Sequence, residues 1–207
     1  MSKIFNENIN KYLYGPSDEE IEERIKKYNL TPNDLLVKLA RIGYLKGVKK
    51  ALKYDVDINS INAALRWSAE EGHLDIVKYL VEQGADIHAE GEYALRWATL
   101  NGHLDVVSYL VENGANIHAW DDEALRWAAG NGHLDVLKYL VEQGANIHVM
   151  NNIVLKDAIL KSHFDIVKYL IEQSANVHVM NDYVLRWAAD EGNIDLVNYL
   201  KSQMNKE

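Results

Sequence analysis

Apolar residues recur along this chain on a thirty-residue beat. Leu65, Leu95, Leu125, Leu155 and Leu185 mark it, and the residues around them keep step. The four pentapeptides ALRWS (64–68), ALRWA (94–98), ALRWA (124–128) and VLRWA (184–188) share one frame, and VLKDA (154–158) is a variant of it. The second half of each beat reads GHLDIVKYLVEQGADIH, GHLDVVSYLVENGANIH, GHLDVLKYLVEQGANIH and SHFDIVKYLIEQSANVH, closing with GNIDLVNYLKSQ. An earlier copy, LVKLARIGYLKGVKKALKYDVDIN at 36–59, aligns one residue closer and brings the number of units to six. A supersecondary unit repeated at this period is the signature of stacked repeats.

The spacing predicts two short helices per unit. In 92–114, helix one runs to about Asn101, with Gly102 as its left-handed stop. Position 92 reads as an N-cap, held elsewhere by Asn62, Asp122, Asn152 and Asp182. Helix two starts near His103 with Asp105 in its first turn, presents Val106, Val107, Leu110 and Val111 on one face, and stops at Gly114. Neither helix reaches the ~12–15 residues that would let it stand alone, so neighbouring units must stabilise one another.

NGHLDVVSYLVENGANIHA resembles the second half of an ankyrin repeat, and YALRWAT stands where that family has its Thr-Pro-Leu-His-Leu-Ala-Ala opening. The resemblance covers about residues 33–207, in units near 33–62, 63–92, 93–122, 123–152, 153–182 and 183–207. It implies an all-α, ankyrin-type α-solenoid of about six helix-turn-helix repeats. The thirty-residue repeat is three short of the family's usual length, lost between Ala89 and Leu95, so the fingers should be blunt. Pairs such as Tyr93-Ala94 replace the Thr-Pro cap. The short repeat is similar to the ankyrin families of giant amoeba-infecting DNA viruses.

Residues 1–32 form an N-terminal segment. Within it SDEEIEERIKKYN (17–29) predicts a helix, with Ser17 and Glu20 as a capping box, that covers the first repeat. Residues 1–16, with Phe5, Tyr12 and Tyr14, either dock on the repeats or engage a second partner.

Composition narrows the function. Apolar residues make up 48% of the chain, enough for a core, and there is no cysteine, which suits a reducing, cytoplasmic compartment (host cytoplasm if the source is viral). No apolar run is long enough for a membrane span, and the first fifteen residues lack the pattern of a secretory signal. Residues 1–60 carry 11 basic and 9 acidic side chains, whereas 61–207 carry 11 and 22. A body with a net charge of −11 repels phosphate backbones, so nucleic acid is not the expected partner.

Enzyme signatures are absent: no phosphate-binding glycine loop, no Gly-x-Ser-x-Gly elbow, no His-Glu-x-x-His. The eight histidines form two columns, His73, His103, His133, His163 and His88, His118, His148, His178. One ligand per repeat, roughly 10 Å from the next, cannot converge on a zinc ion. The first column is expected to bond loop backbone at the entrance of helix two and the second to fill the inter-repeat loop. The chain therefore reads as a non-enzyme without cofactor or metal.

On a helical wheel the recurring tryptophans, Trp67, Trp97, Trp127 and Trp187, lie beside the core stripe and are expected to fill the seam between successive first helices. Arg66, Arg96, Arg126, Lys156 and Arg186 lie on another, concave face. Two uses are open to them: local i, i+4 pairs (Glu92–Arg96, Asp122–Arg126, Asp182–Arg186, Arg66–Glu70), or a basic track for acidic side chains of a partner.

Positions that vary from repeat to repeat mark the expected contact surface. Trp120, Met150 and Met180 occupy the blunt loop, Tyr93 and Tyr183 the start of helix one, Leu100 its far end, and Arg96 and Arg126 stand between. These eight residues are the predicted partner-binding set; the other reading is that the loop side chains cover the next repeat. The expectation is a monomer that binds an unidentified protein, such as a host protein, in its concave groove. Alternatives are a substrate adaptor recruiting a client to machinery such as a ubiquitin ligase, and a self-associating structural component. Repeat five is the odd one, with Lys156-Asp157 for Arg-Trp and serines at 162 and 174 for glycines. Drift or a deliberate soft spot would each explain it.

Overall fold

A computed structural model describes residues 27, 29–173 and 181–204. Among these are twelve helices: α1 (Pro32–Arg41), α2 (Leu45–Ala51), α3 (Ile58–Glu70), α4 (Leu74–Glu82), α5 (Ala89–Leu100), α6 (Leu104–Glu112), α7 (Ala119–Asn131), α8 (Leu134–Glu142), α9 (Val149–Leu160), α10 (Phe164–Gln173), α11 (Asn181–Asp190) and α12 (Ile194–Met204). Consecutive pairs make six helix-turn-helix repeats. The chain divides into two units, Met1–Ala119 and Trp120–Glu207, with three repeats in each. The helix expected near 17–29 lies outside the described residues, apart from Lys27 and Asn29.

Pro32 opens α1. Thr31 caps it by accepting the Asp34 N–H at 3.1 Å while Asp34 accepts the Thr31 N–H at 3.3 Å. This reciprocal cap satisfies two donors at the helix start, and proline at the first position loses no bond.

One turn design joins the two helices of a repeat. After α3, His73 N–H donates to Ser68 C=O at 2.8 Å and Gly72 N–H to Ala69 C=O at 3.3 Å. That closure needs a left-handed residue, and Gly72 has φ +78°. The second helices end the same way: Ala85, Ala115 and Ala145 donate to Leu80, Leu110 and Leu140 at 2.9–3.0 Å. Gly84, Gly114 and Gly144 supply the positive φ there. The recurring glycines are thus stops for both helices, as the pattern predicts.

The core is the apolar stripe read from the sequence. Leu65, Ile76, Val77 and Leu80 are buried in the second repeat, and Leu95, Val106, Val107 and Leu110 in the third. In the second unit Leu125, Val136, Leu137 and Leu140 repeat the pattern. In the first unit α1, α3 and α5 pack in sequence order, as do α2, α4 and α6. Each buried leucine or isoleucine contributes about 1.5–3 kcal/mol relative to exposure, spread over both neighbours of its repeat.

Candidate partner-binding surface

The blunt fingers have an unusual construction. Glu90, Gly91 and Glu92 all have φ between +53° and +66°, and Trp120, Asp121 and Asp122 lie between +53° and +55°. Met150 (+47°) and Asn152 (+61°) follow suit. Where the sequence predicts a loop and an N-cap, the chain makes a short left-handed turn that runs straight into the right-handed first helix. Each L-residue in this conformation costs about 1–2 kcal/mol, least for short polar side chains. Asp122 and Asn152 suit it; Glu90, Trp120 and Met150 do not.

The position expected to cap helix one has a different role. Asn62 accepts the Asp86 N–H at 2.8 Å, and Asp122 accepts the Asn146 N–H at 3.1 Å. Asn33 does the same for Asp57 at 3.1 Å. These side chains tie one repeat to the loop of the next, from inside or just before a helix already under way. In the second repeat the true N-cap is Asp57, which accepts the Ser60 N–H at 2.7 Å. Glu92, one methylene longer than its counterparts, is buried and bonds the His88 Nδ1 at 2.6 Å. His148 meets Asn152 in the same way at 2.9 Å. His88 and His148 thus anchor the turns of their own repeats.

The first histidine column does bond backbone, but in the preceding repeat. His73, His103 and His163 place Nε2 at 2.9–3.1 Å from the carbonyl oxygens of Arg41, Glu70 and Gly130. Their rings fill the space beside Gly43, Gly72 and Gly132, so that a β-carbon there would sit 2.6–2.7 Å from ring atoms. No group of three His, Asp or Glu placed to hold a metal occurs among the described residues.

Arginine and tryptophan, assigned separate tasks by the helical wheel, work together in the first unit. The Arg41 guanidinium lies 4.0 Å from the Trp67 ring centroid, and Arg66 is 4.8 Å from Trp67 and 5.2 Å from Tyr93. Arg96 lies 5.5 Å from Tyr93, which stacks on Trp97 at 5.8 Å. In the second unit Trp187 meets Phe164 at 5.6 Å. The recurring tryptophans are half-buried rather than sealed in a seam. The ion pairs also run between repeats: Arg41–Glu71 at 3.2 Å, Arg66–Glu90 at 3.8 Å and Arg126–Asp157 at 3.3 Å. The expected i, i+4 partners Glu92 and Asp122 are taken by His88 and the Asn146 N–H.

Of the eight predicted contact residues, the second unit holds Trp120, Met150 and Arg126. Trp120 is 65% exposed and Met150 59%. Both occupy the first left-handed position of their turns. Arg126 is half-buried and paired. Tyr93, Arg96 and Leu100 belong to the first unit, all half-buried, with Tyr93 held by its stack. Met180 and the Tyr183 side chain lie outside the described residues.

One column escaped the sequence reading. Lys49, Lys78, Lys138 and Lys168 each lie 5.0–5.6 Å from the ring of a tyrosine one repeat on: Tyr79, Tyr109, Tyr169 and Tyr199. Tyr199 donates to Glu172 at 3.2 Å, and burial with that carboxylate pushes its hydroxyl up to about 12. The recurring Lys-Tyr pair of the second helices was the available signal.

These bonds, repeated at one position per thirty residues, describe a single module copied along the chain. The sequence matches the family described as ankyrin repeats (3 copies) over residues 35–121, 88–151 and 125–207. The chain belongs to the ankyrin-repeat family. No curated protein matches it. Ankyrin repeats are generally protein–protein interaction modules and typically non-catalytic, and no catalytic family matches. No helix among the described residues is long and apolar enough to cross a membrane.

Proposed function

We propose that this ankyrin-repeat chain binds a partner protein through the exposed edge of the first helices in its second unit, with Trp120 and Met150 as anchors. The carrying observation is Trp120: a bulky side chain, 65% exposed, on a left-handed backbone that disfavours it. Backbone strain persists where surroundings enforce it, and it clusters at binding sites. Buried Asp122, bonded to the next repeat, provides the enforcement two residues on. An exposed tryptophan beside an exposed methionine one repeat away supplies the aromatic and adaptable apolar contacts typical of interface hot spots.

The thirty-residue repeat, resembling the ankyrin families of giant amoeba-infecting viruses, supports a viral source and a host protein met in the host cytoplasm. The absence of cysteine agrees with that compartment. The test is purification from the native cell of the wild-type chain and of a Trp120→Ala/Met150→Ala variant. A specifically retained protein should be lost from the variant while its thermal melt is unchanged. Equal retention by both would end this reading.

A further inference from the structure

Gly130 is a glycine that neither backbone nor packing requires. It lies in the last turn of α7 and is not among the positive-φ residues, unlike Gly132 two positions on. A β-carbon built on it meets only the β-carbon of Asp157, at 3.8 Å, an ordinary contact. Its counterparts in other repeats are Glu70, Leu100, Leu160 and Asp190. A helix prefers almost any of these to glycine, which instead exposes backbone and permits close approach by another chain.

The surroundings specify what could approach. The Arg126–Asp157 pair, at 3.3 Å with each side chain about a quarter exposed, borders the clearing on one side. Leu160, one turn along α9 from Asp157, is 68% exposed. Toward the start of α7 lie exposed Asp121 and half-buried Glu123 beside Trp120. Residues 61–207 carry a net charge of −11. Glu123 and Gly130, seven residues apart in the right-handed part of α7, share one face ~10 Å apart at 1.5 Å per residue, a span of about three extended residues.

We propose that the clearing at Gly130 receives a bulky apolar side chain of a partner segment, lying against Leu160, whose Lys or Arg about three residues away pairs with Glu123. This rests on the binding role proposed for the Trp120–Met150 edge and specifies the chemistry it recognises. Glycine leaves room for the apolar group, and the acidic edge selects the sign of the flanking charge.

A displayed library of random twelve-residue peptides selected on the full chain tests this directly. The enriched peptides should share a bulky apolar residue with Lys or Arg two to four positions away. They should bind Gly130→Leu at least tenfold more weakly; Leu100 and Leu160 mark leucine as acceptable to the fold at this position. Gly130→Ala should raise Tm by about 2 °C yet weaken the same peptides. A fall in Tm would mean that the fold needs the glycine, and would overturn the inference. Peptides lost on Trp120→Ala/Met150→Ala but indifferent to Gly130→Leu, or peptides flanked by acidic residues, would also overturn it while leaving the broader binding role standing. No enrichment, or binding indifferent to every variant, would remove both.

Discussion

The ring of His103 occupies the space a side chain on Gly72 would need, with Nδ1 2.6 Å from an ideal β-carbon there. The same lock joins His73 to Gly43 and His163 to Gly132. Repeat five changes both halves at once. Ser162 holds the glycine position at φ +60°, and Asn193 replaces the histidine of the following repeat. Asn193 turns to its own helix and accepts the Leu196 N–H at 2.9 Å. The side chain gained at 162 and the ring lost at 193 are complementary.

The pair should therefore behave as a unit. Ser162→Gly alone should stabilise by about 1 kcal/mol, by removing a left-handed serine. Asn193→His alone should destabilise, because the ring meets the serine β-carbon and the helix cap is lost. In the Ser162→Gly background the same histidine should regain its partner, giving a coupling on the order of 1–2 kcal/mol in a double-mutant cycle by urea denaturation. Strict additivity would refute the lock.

Thr99 offers a cleaner gain. Its hydroxyl is fully buried without a hydrogen-bond partner, where the neighbouring repeats have Ala69 and Ala129. Ser68, one position earlier in its repeat, bonds Leu65 C=O at 2.9 Å, so the fold satisfies a buried hydroxyl where it can. Thr99→Val keeps the volume and removes the unpaired group. Stability should rise by about 1–2 kcal/mol, visible as a Tm increase of a few degrees. An unchanged or lower Tm would show that the hydroxyl is satisfied in solution.

The His88–Glu92 contact makes one turn sensitive to pH. The hydrogen bond to Glu92 holds the His88 pKa above its usual 6.5, with Asp86 adding to the effect and burial opposing it. A raised folded-state pKa means that the stabilisation is fully present below the unfolded value of about 6.5 and is lost as pH rises through the higher folded value. The urea midpoint of the wild type minus that of His88→Gln should therefore shrink as pH rises from 6 to 8. The imidazole resonance of His88 should titrate above those of free histidine. A constant difference would contradict the pairing.

Much of this was legible in the chain. Leucine and valine spacing determined the helices because burial requires them at those positions, and Gly72, Gly84, Gly102 and Gly114 marked the stops because the closing turn needs positive φ. The partners of polar groups were not legible. Asn62 and Asp122 look like caps, yet each accepts an N–H of the next repeat, 24 residues away. Arg126 has an acid four residues before it, but it pairs with Asp157 of α9 at 3.3 Å. Local spacing describes one helix, whereas stacking brings in a second set of neighbours. The left-handed turns at 90–92 and 120–122 were hidden for another reason: three residues fewer than the usual repeat predicts shortness but not handedness.

The most direct test follows amide hydrogen exchange in the complex recovered from the native cell, against the free chain. Protection gained within Ala119–Asn131 and Val149–Leu160, centred on Trp120, Met150 and Gly130, is the result expected here. Protection confined to the second helices Leu134–Glu142 and Phe164–Gln173, with the first helices unchanged, would contradict the account.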